Sequence, residues 1–299
     1  MVKKNYIISI LAIISIFILV GFFLMREKTK KYTIGILQCA SNRPLDFLVR
    51  SYIDQVESMC GKDNVMIIHK NSEGSLINMH TIREQFHHNN SINLFLTVGS
   101  GPSQALGQLE KKRPIIIAGV SDPEAYKFDQ MSNMYGIIDV FDHKVIFNMI
   151  KNSVKNVKNI AIIRSAGEFA EKELLPFKEI CHNNGLQYFD HIVYNESDIM
   201  FAAEMAAKNG DCIIIPCDTL VVSAFPCIVD IAKKYSKPVV TCFIDGVNMG
   251  ARCATGVNYH DYGKDLAVLS YNILARGVFP EHKFEISKYD KVYEEVLNQ

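Results

Sequence analysis

The feature that constrains this chain most begins at Tyr32, where short β-rich apolar runs start to alternate with amphipathic helical stretches. Tyr32-Thr-Ile-Gly-Ile-Leu-Gln38 reads as a buried strand, and Leu45, Leu48, Val49, Tyr52, Ile53, Val56 and Cys60 then recur at spacings of three and four, one face of a helix. Further strands are predicted at 64–69, 94–98, 114–118 and 134–138, with helices at 76–87 and after Gly99-Ser100-Gly101-Pro102-Ser103. The pattern restarts with helix 142–155, strand 159–163, helix 169–184, strand 188–193, helix 198–208, strand 211–215, helix 220–235 and strand 238–242. Two successive βαβα sets predict an α/β chain of two lobes, each a parallel sheet flanked by helices. A last strand at 254–259 and helix at 261–276 are assigned to the first lobe, because little chain remains. The expected division is an anchor and basic linker at 1–31, a first lobe of 32–138 plus 243–275, and a second of 139–242 plus 276–299. A chain that crosses between lobes more than once gives a hinged cleft.

Before this body, Lys3 and Lys4 precede an apolar run from Tyr6 to Met25, softened only by Ser9, Ser15 and Gly21. At helical rise such a run spans roughly 30 Å, about one bilayer core. Its end, Leu19-Val20-Gly21-Phe22-Phe23-Leu24-Met25, offers no small-residue cleavage site and no Cys for a lipid. The expectation is an uncleaved transmembrane signal anchor in the cell (inner) membrane, with cleavage to a soluble form as the alternative. Arg26, Lys28, Lys30 and Lys31 follow the run, so the positive-inside rule alone would keep the body cytoplasmic.

Lys+Arg and Asp+Glu both number 32, and no clustered positive field suggests a nucleic-acid surface. No Walker A loop, no G-x-G-x-x-G after a strand and no H-E-x-x-H occurs, so phosphate, dinucleotide and metalloprotease chemistry lack support, and no cofactor is expected. None of the eight cysteines makes a C-x-x-C pair; most lie in or beside apolar runs and read as small buried hydrophobes. If the domain is exported, some of them could pair as disulfides.

Parallel sheets bind ligands at the carboxyl ends of their strands, so function is sought in the strand-to-helix turns. These turns are rich in small polar residues: Gly99-Ser100-Gly101-Pro102-Ser103, Gly119-Val120-Ser121-Asp122, Pro216-Cys217-Asp218-Thr219 and Phe243-Ile244-Asp245. The Ser100/Ser103 turn opens a helix, where free N–H groups suit a carboxylate. Asp122, Asp218 and Asp245 are acceptors suited to an ammonium, and Phe243 or Tyr135 could supply an apolar wall. Each turn alone is equally an ordinary N-cap or loop.

At these turns the sequence resembles the ABC-transporter substrate-binding proteins of a bacterial family that includes tryptophan- and tyrosine-binding members. The resemblance runs from about 32 to 285. It is carried by Ile34-Gly35-Ile36-Leu37-Gln38 through Pro44-Leu45-Asp46, by Gly99-Ser100 with Gln104-Ala105, and by Pro114-Ile-Ile-Ile-Ala-Gly-Val-Ser-Asp-Pro123. Asn133-Met-Tyr-Gly136, Pro216-Cys-Asp-Thr-Leu-Val-Val-Ser-Ala224 and Gly250-Ala251 through Tyr262-Gly263 continue it. It implies a type I periplasmic-binding-protein fold, amino-acid capture between closing lobes, and handover to an ABC permease and its ATPase. The ligand-binding set expected from turns and resemblance together is Gln38, Ser100, Gly101, Ser103, Ser121, Asp122, Tyr135, Glu168, Asp218, Thr219, Phe243 and Asp245. Departures fall in the same turns. Asn42-Arg43 stands where the family has His before Pro-Ala-Leu-Asp, Asp218-Thr219 replaces Asp-Asn, and Ser165-Ala166-Gly167-Glu168-Phe169-Ala170-Glu171 keeps only the Glu of its turn.

The leading expectation is therefore a membrane-tethered, extracytoplasmic solute-binding component of an ABC importer that takes a small molecule such as an amino acid. A sensor of the same fold is the alternative. An enzyme with Cys217 or Cys242 as nucleophile is a third, lacking a neighbouring His in sequence.

Overall fold

The computed structural model describes residues 31–293 apart from 141, 167, 217 and 288, and leaves out the side chains of 168–170, 172, 173 and 289–293. The apolar run 6–25 lies outside the described residues. Among the described residues no helix is long and apolar enough to cross a membrane.

The first half of the body lays down β1 (Tyr32–Gln38), α1 (Arg43–Cys60), β2 (Val65–Asn71), α2 (Leu76–His88), β3 (Leu94–Val98), α3 (Ser100–Leu109), β4 (Ile115–Ala118) and β5 (Met134–Ile138). The second half repeats the plan with α4 (His143–Ser153), β6 (Asn159–Ser165), α5 (Glu168–Asn183), β7 (Gln187–Val193), α6 (Glu196–Asn209), β8 (Cys212–Ile215), α7 (Thr219–Ser223), α8 (Phe225–Lys234), β9 (Val239–Thr241) and β10 (Cys253–Val257). The chain then returns through α9 (Tyr259–Tyr271), β11 (Phe284–Ile286) and β12 (Tyr289–Tyr293).

Two six-stranded sheets result, ordered β11-β5-β4-β3-β1-β2 and β12-β10-β9-β8-β6-β7. Every pairing is parallel except β10 with β12. All residues of β3, β4 and β8 are buried, as strands covered by helices on both faces must be. In the first lobe, α1 and α9 cover one face, where Ile34, Ile36, Leu94, Leu96, Val98 and Tyr262 pack together. The opposite face packs Leu37, Phe95, Ile115 and Ile117 against Met79, Phe86 and Leu106 of α2 and α3. In the second lobe, Ile160, Ile162, Ile214 and Val240 meet Phe147, Ile150 and Phe177 of α4 and α5. Fully burying one such side chain contributes roughly 1.5–3 kcal/mol. Gly263 lets α9 approach α1 closely, since a Cβ there would run into the Leu48 carbonyl.

The expected lobe boundaries move in two places. The strand at 253–257 pairs with β9 in the second sheet, with Cys253 opposite Val240, and does not complete the first lobe. A strand that follows its neighbour after a short connection pairs with it more readily than it crosses to another sheet. Conversely, 284–286 joins the first sheet beside β5, although 276–299 was assigned to the second. β11 and β12 are short edge strands rich in charged residues, a pattern that carries little strand signal. The chain thus crosses three times: between β5 and α4, between β10 and α9, and between β11 and β12. The predicted helix 220–235 is two, α7 and α8, because Pro226 sits in the first turn of α8 and cannot continue the preceding ladder.

Candidate ligand-binding cleft

Both sheets share one strand order about their first strands, β2-β1-β3-β4-β5 and β7-β6-β8-β9-β10. The order reverses direction at β1/β3 and at β6/β8, and turns at such switch points form the crevice of an open parallel sheet. The two sets of turns enclose a cavity of about 1070 Å³ between the lobes.

On the first lobe the wall is made of Cys39–Asn42 after β1, Gly99–Gly101 after β3 and Gly119–Asp122 after β4. Gly99 has φ +101°, and a Cβ there would come within 2.9 Å of Cys39 Sγ, so only glycine fits. α3 begins after Gly99 with no side chain capping it. Its first turn faces the cavity at Ser100 and Gly101. Behind this wall Tyr262 accepts from Gly119 N at 3.0 Å and donates to the Ile137 carbonyl, holding the ends of β4 and β5.

On the second lobe the wall is Arg164–Ala166 after β6, Pro216 with Asp218–Leu220 after β8, and Cys242–Phe243 after β9. Arg164 is 3% exposed and grips Asp190 with two bonds of 2.9 Å, while Lys178 adds a third at 3.0 Å. Burial alone would raise the Asp190 carboxyl, but these cations outweigh it and hold it below the usual carboxylate range. Asp218 caps α7, accepting from Val221 N at 3.1 Å, and also accepts from Ser165 N at 2.7 Å and from the Ser165 hydroxyl.

Between the walls lie the crossings. Asp139 follows β5 and accepts at Oδ2 from the Tyr259 hydroxyl at 2.9 Å, and Tyr259 opens α9. Both residues are buried and line the cavity, and Asp142, His143 and Thr255 line it too.

Of the expected ligand-binding residues, Ser100, Gly101, Ser121, Asp122, Asp218, Thr219 and Phe243 come together around this cavity. Ser103 does not face it. Its hydroxyl is fully buried and bonds Thr97 Oγ1 and the Gly99 carbonyl, because the fourth residue of a helix points back into the first turn. Gln38 is 1% exposed behind the wall, donating to Asp46 and to the Ala40 carbonyl and bonding His69. Tyr135 lies along β5 away from the cleft, its hydroxyl on the Ser132 carbonyl and its ring against Phe279. Asp245 sits in a short turn, Ile244–Gly246, outside the lining. Glu168 opens α5, and its side chain lies outside those described. Asp139, Arg164 and Tyr259 also line the cavity and were not among the expected residues. A hinge position shows only when the crossings are known, and Arg164 was hidden at the end of an apolar strand.

Of the described cysteines, Cys181, Cys212, Cys242 and Cys253 are buried. Burial pushes the Cys181 thiol up to about 12. Cys217 lies outside the described residues. Among the described residues no group of three or more His, Cys, Asp or Glu could hold a metal ion.

The family profile described as ABC transporter substrate binding protein matches residues 33–293. A Tyrosine-binding protein of Clostridioides difficile is 22% identical over 256 residues, 83% of this chain and 74% of the relative. Among solved structures, a conserved domain protein of Vibrio cholerae superposes with a TM-score of 0.81 at 24% identity, covering 88% of this chain and 92% of that one. An ABC domain of Streptococcus pneumoniae in complex with L-Trp gives 0.79 at 23% identity, covering 87% and 91%. These likenesses show the two-lobed fold.

Proposed function

The chain belongs to the ABC transporter substrate binding protein family, whose members bind solutes and are not enzymes, and from that premise we propose that it captures an α-amino acid in the interlobe cleft for an ABC importer. The body stands outside the cytoplasm, tethered to the cell membrane by the apolar segment 6–25, and delivers its ligand to a permease and its ATPase. The observation that carries the ligand class is the uncapped first turn of α3 on the cavity at Ser100 and Gly101. Unpaired N–H groups and the positive end of the helix dipole suit a carboxylate. The only guanidinium or ammonium among the described lining residues, that of Arg164, is bonded to Asp190, which leaves α3 as the favoured seat for an anion. Tyr126, Phe243 and Tyr259 in the lining supply apolar surface, and a Tyrosine-binding protein and an L-Trp complex among the relatives agree with an aromatic ligand. Calorimetric titration of the full chain in detergent with amino acids, nucleosides and sugars tests this. Amino-acid binding is expected; folded protein that binds none of them, or only sugars or nucleosides, sinks the proposal.

A further inference from the structure

We propose that the outer end of the first lobe, opposite the cleft, rests on an anionic lipid surface with Val278 and Phe279 set into it. This resting face depends on the membrane tether of the proposed function and deepens that reading by giving the body a defined side towards the bilayer.

Turns at the carboxyl ends of both sheets line the cavity, so the amino ends of the parallel strands face outwards. The described chain starts at such an end, where Lys31 directly precedes β1. From Met25, the end of the apolar run, to Lys31 the chain can reach no further than roughly 20 Å. A body tethered by that run keeps this end of the first lobe within a few Debye lengths of the lipid headgroups. A surface held that close to a bilayer meets lipid before any other partner. The same pose gives Arg26, Lys28 and Lys30, which precede Lys31, anionic headgroups to pair with.

Side chains at this end suit that surface. The helical stretch that continues α9 stops at Gly277, whose φ of +65° lets Gly277 N and Val278 N close on the Ile273 and Asn272 carbonyls. Beyond the turn Val278 and Phe279 are 54% and 51% exposed, and the Phe279 ring rests against Tyr135 near the start of β5. Tyr271 joins this turn to the end of the tether. Arg276 stands 5.3 Å over its ring, and Tyr32 first and Tyr271 next favour the charged form of Lys31. Exposed Lys111 and Lys112 precede β4, and exposed Lys62 precedes β2. Exposed acids in the same connections, Asp63, Asp129 and Glu281, are fewer than these five cations. β1 and β5 stand three strand spacings apart, roughly 15 Å, so tether and apolar turn share one face. An apolar tip among cations is a second membrane signal beside an anchor. Each Lys or Arg near an anionic surface strengthens association roughly fivefold. The second lobe's outer end also carries exposed cations, Lys155 and Lys158, but lies across the cleft from the tether and serves as the control.

The chain contains no Trp, so Phe279→Trp creates a single fluorescent reporter. The full chain is reconstituted into vesicles of equal parts phosphatidylglycerol and phosphatidylcholine, the latter brominated on its acyl chains as quencher. Phe201→Trp, exposed on α6 of the second lobe, is the reference. The Phe279→Trp reporter is expected to be quenched about threefold more than the reference. Lys112→Gln combined with Arg276→Gln, or molar salt, should remove about half of that quenching, whereas Lys155→Gln combined with Lys158→Gln should leave it unchanged. Val278→Trp replaces the reporter if Phe279→Trp does not fold. Equal quenching of reporter and reference overturns the proposal, and so does quenching indifferent to salt and to the first pair, or equally sensitive to both pairs. Flotation at alkaline pH tests the reading beneath it. Wild type that leaves the vesicles is not tethered, and both ideas fall; a chain that floats with its reporter unquenched refutes the resting face alone.

Discussion

On the first lobe's wall α3 starts after Gly99 with no side-chain cap, whereas on the second lobe's wall α7 starts after Asp218, whose carboxylate already serves three donors. Likewise, the first wall offers backbone and hydroxyl groups, while the second carries Arg164 tied to Asp190 and Lys178. Two lobes with the same strand order thus spend their polar groups differently. One keeps donors open towards the cavity; the other satisfies its charges internally and presents a rigid, nearly neutral face. The difference teaches that repeated architecture does not imply repeated chemistry, because the turns, and not the sheets, carry the side chains that meet a ligand.

Breaking the second wall should cost the most stability. Asp190→Asn leaves the Arg164 guanidinium buried beside a neutral amide and is expected to destabilise the protein by about 3 kcal/mol. Denaturant titration measures this, and an unchanged midpoint would mean that the pair contributes nothing net. On the first wall, Gly99→Ala forces a Cβ onto Cys39 Sγ at a backbone conformation that L-residues avoid. A loss of roughly 1–3 kcal/mol is expected, together with weaker ligand binding from the displaced turn. Wild-type stability and affinity in this variant would show that the turn has room the geometry denies.

Matched charge insertions sharpen the contrast. Gly101→Asp places a carboxylate at the start of α3, where an added Cβ meets only Met79 at ordinary contact distance. It should compete with the ligand's carboxylate and weaken binding about tenfold. Ala166→Asp, on the facing wall, should weaken it by no more than about threefold. Equal losses in calorimetry would erase the proposed division of labour.

The smallest effect is on acid stability. Because the Asp190 carboxyl is held below its ordinary value of 3.8 in the folded protein, its contribution is complete above that value and is lost as pH falls through the lower folded value. Wild-type unfolding free energy should therefore fall more steeply below pH 3.8 than that of Asp190→Asn. Parallel curves would show that Asp190 titrates normally.

Much of the fold was legible because buried parallel strands are continuous apolar runs. Ile115–Ala118 and Cys212–Ile215 announce themselves that way, and the helix stripe beginning at Leu45 is equally plain. The tail was not legible: Phe284–Ile286 owes its place to pairing with β5, and three residues, Phe-Glu-Ile, are too few to carry such a signal. For the site, turns after strands pointed to Ser100, Gly101 and Asp218, which line the cavity, but could not tell a side chain facing the cleft from one facing inwards. Ser103 and Gln38 illustrate the loss, since each lies within a few residues of the cavity and spends its polar atoms on the protein itself.

By itself the sequence determined the periodicities, and with them two parallel-sheet lobes and the turns in which a ligand site could lie, because hydrophobic spacing and turn chemistry are local properties. Only the tertiary structure decided which lobe β10 and β11 join, which polar groups are already satisfied, and that Asp139 and Tyr259 meet at the hinge. Strand pairing, burial and hydrogen bonding across more than a hundred residues, as between Asp139 and Tyr259, depend on what the rest of the chain brings alongside.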